Sequence, residues 1–207
     1  MLADVANPPP SPAPQGRSGP GIVLPDSLRP ADGRFGCGPS KVRPEAVASL
    51  AERAADWMGT SHRQKPVKEV VGRLRSGLAS LFSLPDGYDV VLGNGGTTAF
   101  WDAATFSLIE SHSQHLSFGE FSSKFATACS VAPHLDGADA IESAAGTAPV
   151  FSPASGIDAY CHPHNETSTG VMVTPRRPEG ADGDALVLVD ATSGAGGLRV
   201  DLDQVDA

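Results

Sequence analysis

Cysteine is scarce in this chain: three residues, Cys37, Cys129 and Cys161, far apart and odd in number. They form no CxxC pair and no even framework, which excludes a cystine-stapled secreted scaffold and fits a reducing cytosol. Long apolar runs are missing as well; nothing approaches the roughly 18 residues of a membrane span. Basic residues are outnumbered, 15 Lys and Arg against 24 Asp and Glu, for a formal charge of -9. That balance argues against general nucleic-acid binding and leaves room for a local anion site. The opening MLADVANPPPSPAPQGRSGPG lacks the basic start and apolar centre of a signal peptide. Its Pro, Ser and Gly content predicts a disordered tail over residues 1–21, with the folded region over 22–207.

What is present alternates. Val42–Met58 has Pro44 near its start and apolar residues at helical spacing, and Pro66–Leu84 is a second amphipathic helix closed by Pro85. PDG at 85–87 is a turn, and YDVVLGNGG reads as a strand, Tyr88–Leu92, running into a glycine loop. A helix over Thr97–Ile109 follows, then a short strand HLSF and a helix GEFSSKFATAC. Val131–Leu135 is a candidate strand, Ile157–Cys161 a further one, and Ala185–Asp190 the clearest. The Ala/Gly/Ser/Pro-rich stretch 136–155 reads as surface. Short apolar strands alternating with helices predict an α/β fold, a mostly parallel sheet flanked by helices.

Four places could carry chemistry. In LGNGGTTAFW a strand ends, Gly95 and Gly96 turn the chain, and a helix opens at Thr97. Backbone N–H groups there suit a phosphate, and they equally suit an ordinary strand-to-helix turn. The stretch is neither a P-loop nor a GxGxxG fingerprint. In GTSHRQ, His62 and Arg63 sit side by side; Arg can grip a carboxylate or phosphate with two parallel hydrogen bonds, although a solvated surface pair fits as well. CHPHNETSTG offers Cys161, His162, His164 and Glu166, but on a strand neighbouring residues point to opposite faces and the spacing matches no zinc pattern. No metal is expected; Asn165 and Thr167 read instead as polar groups at a strand's carboxyl end. The last place is Asp190, an acid delivered by the apolar run Ala185–Val189. It fits a turn or cap residue. Ligands of open α/β sheets also bind at the carboxyl ends of strands. An anion cradle plus a carboxylate on another strand suits pyridoxal phosphate, whose protonated ring nitrogen the carboxylate would hold.

GRFGCGPSKVRPE, GTSHRQKPVKEVVGRLRSGLASLFSLPDGYDVVLGNGGTTAFWDAA, GEFSSKFA, HNETSTGV and VDATSGAGG together resemble the phosphoserine aminotransferases, in order from about Leu28 to Ala207. The resemblance implies an N-terminal part of the large domain of a fold-type I pyridoxal-phosphate transferase. It implies amino transfer between glutamate and 3-phosphohydroxypyruvate in serine biosynthesis, with pyridoxine biosynthesis as a related route, in a cytoplasmic homodimer. By motif, Gly96 and Thr97 would hold the cofactor phosphate, Phe121 would stack on its ring where other members carry Trp, and Thr167 would hydrogen-bond it. Asp190 would pair with the ring nitrogen. Arg63 and His62 would bind substrate, and Gly38–Ser40 would line the entrance. Cys37 stands there where Ser is expected.

The resemblance also implies a Schiff-base lysine in a Gln-Lys-type motif. The resemblance places that motif after a segment like VDLDQVDA; the lysines here, Lys41, Lys65, Lys68 and Lys124, all lie upstream of it, so none matches, the Gln64-Lys65 pair included. A catalytic nucleophile is therefore expected to be absent, and the 207 residues alone to be inactive and unstable, with Tyr88–Leu92 left without its neighbouring strands. Another fold-type I pyridoxal-phosphate enzyme, or a non-catalytic cofactor-binding chain, would share the same residues.

Overall fold

The computed structural model describes residues 23–29 and 41–207. The predicted tail over 1–21, Cys37 and the Gly38–Ser40 loop lie outside the described residues. The chain divides into two units, Met1–Arg43 and Pro44–Ala207. In the first, Asp26–Leu28 forms a single 3₁₀ turn, closed by the Arg29–Asp26 ion pair at 3.1 Å.

The second unit begins with helices. The expected helix over 42–58 is two pieces, α1 (Pro44–Glu52) and α2 (Ala54–Trp57), broken at Arg53, whose backbone (φ -97°, ψ 5°) leaves the helical basin. α3 (Lys65–Phe82) ends at Ser83 in the left-handed conformation, φ 50°, ahead of the Pro85 that would block continuation. None of these three helices buries a residue. α4 (Thr97–Ala103) runs into a π-helical turn, Ala104–Leu108, closed by Ile109 N–H on the Ala104 carbonyl at 2.9 Å. The remaining helix is α5 (Glu120–Ser130).

The strands are β1 (His112–Ser117), β2 (Gly137–Glu142), β3 (Ala159–Pro163), β4 (Asn165–Glu166), β5 (Val171–Met172) and β6 (Leu186–Asp190). Four of them form a parallel sheet in the order β2-β1-β3-β6, and β4 and β5 form a small antiparallel pair. The α/β expectation is thus met. One face of the sheet packs Cys161, Ala159 and Leu188 against Trp101, Ala104, Phe125 and Cys129 of the helices. The other buries Tyr160 with Ile157 and Ala185, and Val187 and Val189 with Val205.

Two sequence expectations are corrected. Tyr88–Leu92 is not a strand: among the described residues it joins no ladder, and Val91 is 86% exposed. The outer edge of β6 is occupied instead by the last residues, with Asp206 N–H on the Val187 carbonyl (2.9 Å) and Val189 N–H on the Ala207 carbonyl (2.7 Å). An extended segment without a partner for its N–H and C=O groups stays solvated. Val131–Leu135 is a turn region, and the strand lies just after it, β2, within the stretch read as surface. β2 is an edge strand with only partial burial, so its small and acidic residues suffice there.

β1 is almost entirely buried despite the polar sequence HSQHLS. Most of its buried polar atoms are paired: the Gln114 amide exchanges hydrogen bonds with the Ser152 backbone (2.9 and 2.8 Å), and Ser113 Oγ meets His115 Nε2 at 2.9 Å, while His115 Nδ1 is buried without a partner among the described residues. Burial lowers the pKa of His115 to about 3 and that of His162, despite a bond to the Pro163 carbonyl, to about 4. Both imidazoles are therefore neutral when folded and take up protons more readily when unfolded. Their contribution to stability is complete above pH 6.5 and is lost as the pH falls through 6.5 toward 4. Each adds about 1.4 kcal/mol per pH unit to the slope in that window. Urea midpoints of the native-length protein between pH 7 and 4 should show this fall, and His115→Gln should remove about one proton's worth of slope.

Candidate cofactor site

The carboxyl ends of the parallel strands carry a continuous polar rim, and Asp190 is its centre. It is the last residue of β6, only 6% exposed. A carboxylate at that depth is costly unless hydrogen-bonded, and three donors meet it. Thr97 Oγ1 and the Thr192 N–H donate to Oδ1 at 3.0 and 3.1 Å, and Trp101 Nε1 donates to Oδ2 at 3.0 Å. The Thr97 and Thr192 hydroxyls are in direct contact with each other. The next residue, Ser193, receives hydrogen bonds from Asn165 Nδ2 (2.9 Å) and Thr167 Oγ1 (2.8 Å), and donates to the Asn165 carbonyl at 3.0 Å.

The rim continues through Glu166, which is fully buried. Its carboxylate accepts from the N–H groups of Phe121 (3.4 Å) and Ser122 (2.8 Å) in the first turn of α5, and from Ser168 Oγ at 2.7 Å. Burial pushes its pKa up, but the hydrogen bonds from Ser122 and Ser168 outweigh this, and the carboxyl is held below its ordinary value. Glu166 thereby acts as a cap supplied from a distant strand, satisfying donors that a helix start leaves open. It fixes the turn that carries Phe121, whose ring is 37% exposed and has the Lys124 ammonium 5.7 Å from its centroid.

At the other end of the rim, Gly96 precedes α4 with no side-chain cap, so the first-turn N–H groups remain available. Gly95 (φ 148°) adopts a backbone that L side chains rarely take, and a Cβ there would stand 3.0 Å from Ala99 Cβ. The Thr97 hydroxyl is committed to Asp190, so its contribution to an anion is its backbone N–H.

Thr97, Thr167 and Asp190 are thus linked through hydrogen bonds that run by Thr192 and Ser193, with Gly96 directly before Thr97 and Phe121 held by Glu166, the neighbour of Thr167. His62 and Arg63 are not linked to it: they occupy an exposed turn before α3, held by Arg63 N–H on Ser61 Oγ at 3.3 Å. Trp101, Thr192, Ser193 and Glu166 complete the rim and were not singled out from sequence as its supports. The signal for Trp101 was available, since it lies one helical turn beyond Thr97 on the same face. The CHPH cluster divides between surroundings: Cys161 packs in the core on one sheet face, and His162 meets the Phe151 ring on the other. Among the described residues no group of His, Cys, Asp and Glu is arranged to hold a metal ion, and no helix is long and apolar enough to cross a membrane.

Comparison with known proteins gives the same direction. No family model matches the chain. By sequence the chain is homologous to proteins named phosphoserine aminotransferase: that of Nocardioides sp. is 60% identical over 186 residues, 89% of this chain and 50% of the relative. A phosphoserine aminotransferase structure from Cytophaga hutchinsonii superposes with a TM-score of 0.70 at 28% identity, covering 82% of this chain and 48% of that one. A pyridoxal-phosphate-bound phosphoserine aminotransferase from Trichomonas vaginalis gives a TM-score of 0.62 over 83% of this chain and 51% of that one; at 19% identity this likeness concerns the fold. The chain spans about half the length of the curated relatives it matches.

Proposed function

We propose that this chain is part of a phosphoserine aminotransferase and carries the ring-nitrogen and phosphate side of its pyridoxal-phosphate site. The observation that carries the reading is Asp190: an acid at the end of a buried parallel strand, with three donors fixing it and one acceptor position to spare. The donor set fits the cofactor's chemistry, because a carboxylate held as an acceptor suits a protonated pyridine nitrogen, and capless N–H groups at Thr97 and Thr98 suit a phosphate. Bound there, pyridoxal phosphate supplies an electron sink for bonds at the amino-acid α carbon.

The chain's own residues then have distinct tasks. Asp190 keeps the ring nitrogen protonated. Gly96 and Thr97 take the phosphate through their backbone. Phe121, its turn anchored by Glu166, covers one ring face, and Thr167, whose hydroxyl donates to Ser193 Oγ in the structure, is assigned by resemblance to a hydrogen bond with the cofactor from the β4 side. Arg63 and His62 are assigned by resemblance to a substrate carboxylate or phosphate. The substrates are glutamate and 3-phosphohydroxypyruvate, and the protein is a cytoplasmic homodimer serving serine biosynthesis. The lysine that carries the cofactor is assigned to the half of the relatives' length that the chain does not span. This agrees with the surroundings of two lysines here: Lys65 is exposed and paired with Glu69 (3.6 Å), and Lys124 with Glu120 (2.6 Å).

The test is an amino-transfer assay on the native-length protein with glutamate and 3-phosphohydroxypyruvate, followed by release of 2-oxoglutarate. Turnover that depends on added pyridoxal phosphate is expected. Cofactor uptake with no turnover of this pair, but turnover of another amino-acid pair, would replace the substrate assignment and keep the site.

A further inference from the structure

We propose that Trp101 is a positioning residue for Asp190: its indole N–H fixes Oδ2 and so determines which lone pair of the carboxylate is left for the ligand. The inference rests on the cofactor reading of Asp190 and goes beyond it.

A carboxylate offers about four acceptor positions on its two oxygens. Oδ1 has two donors, Thr97 Oγ1 and the Thr192 N–H, and is fully used. Oδ2 has one, Trp101 Nε1 at 3.0 Å. The single remaining position is therefore on Oδ2. Without the indole bond, Oδ2 would present two open positions and a choice of directions; with it, one direction remains.

The indole suits the task for two reasons. It is a donor only, so it can neither share a proton with Oδ2 nor compete with the ligand for one. It is also immobile. Trp101 is 6% exposed, stacks on Phe125 at 5.9 Å between centroids with 13° between planes, and belongs to the core cluster with Ile109, Cys161 and Leu188. Phe125 is held in turn by an edge contact with His115, 5.0 Å between centroids. The indole is thus fixed by the same packing that fixes the sheet, and its N–H transmits that rigidity to Asp190. Thr97 and Thr192 cannot substitute, because both act on the other oxygen.

The experiment uses the native-length protein and two variants. Trp101→Phe keeps an aromatic ring against Phe125 and removes the donor. A second variant carries 3-benzothienylalanine at position 101, isosteric with tryptophan but lacking the N–H, which separates the hydrogen bond from the packing should the Phe variant fail to fold. Two quantities are read: the affinity for pyridoxal phosphate, by fluorescence or dialysis, and the pH at which the bound cofactor's visible band changes. Loss of one charge-assisted hydrogen bond shifts an equilibrium by roughly ten- to hundredfold. The benzothienyl variant is expected to lose affinity by that order and to move the spectral midpoint by half a pH unit or more, with its thermal transition near that of wild type. Wild-type affinity and an unmoved midpoint in that variant would overturn the inference, because packing alone would then explain Trp101. Wild-type protein that takes up no cofactor would overturn the cofactor reading itself, and the positioning role with it.

Discussion

Asp190→Asn is expected to lower turnover of the native-length protein by roughly 10²- to 10³-fold, the size of effect seen when one preorganised electrostatic partner of a reacting group is removed. An amide has nearly the shape of the carboxylate but no charge to hold a proton on the ring nitrogen. It also conflicts with its neighbours. Oδ1 accepts from Thr97 and Thr192 and Oδ2 accepts from Trp101, so an amide NH₂ in either orientation faces a donor that previously had an acceptor. That mismatch costs about 1 to 3 kcal/mol of stability. Steady-state rates and a denaturation curve on the same preparation separate the two effects. A variant with near-normal turnover would remove Asp190 from the chemistry.

Gly119→Ala is expected to cost about 3 to 5 kcal/mol, combining steric overlap with the loss of a buried carboxylate's partners. A Cβ on Gly119 would lie 2.4 Å from Glu166 Cγ and 2.5 Å from Ser168 Oγ. Glu166 cannot retreat, because it is fully buried and holds the Phe121 and Ser122 N–H groups. The substitution therefore displaces the cap of α5 and, with it, the turn carrying Phe121. Glu166→Gln should act on the same element without the overlap and reveal its pH dependence. Because the folded Glu166 carboxyl is held below its ordinary value of 4.5, its contribution is complete above that pH and is lost as the pH falls through the lower folded value. Wild type and Glu166→Gln should therefore converge in stability on acidification below pH 4.5 and differ most at neutral pH. A gap that stays constant with pH would show that the carboxylate charge is irrelevant to the cap.

Legibility in the sequence followed the kind of interaction. β6 was plain because an apolar run buried on both faces leaves a direct signature, and Asp190 was plain because an acid at the end of such a run needs a reason. β1 was only half visible: its buried Gln114 amide is satisfied by Ser152, 38 residues away, and no local pattern records that. β2 was hidden because an edge strand needs little hydrophobicity. Tyr88–Leu92 shows the converse, a strand-like composition that stays unpaired where the sheet edge is taken by Asp206 and Ala207. At the site, the motifs named the residues that face a ligand. They did not name those that hold the rim together, Trp101 and Glu166, whose bonds span 89 residues to Asp190 and 44 to Ser122. Such supports emerge only once the topology brings α4, α5, β4 and β6 to one end of the sheet.

The most direct test of the central claim is borohydride reduction of the protein purified at its native length, followed by peptide mapping of any fixed cofactor. Pyridoxal phosphate attached to a lysine outside these 207 residues is the predicted result, with the Asp190→Asn variant impaired in uptake. Absence of any fixed cofactor, or attachment to Lys41, Lys65, Lys68 or Lys124, would contradict the account.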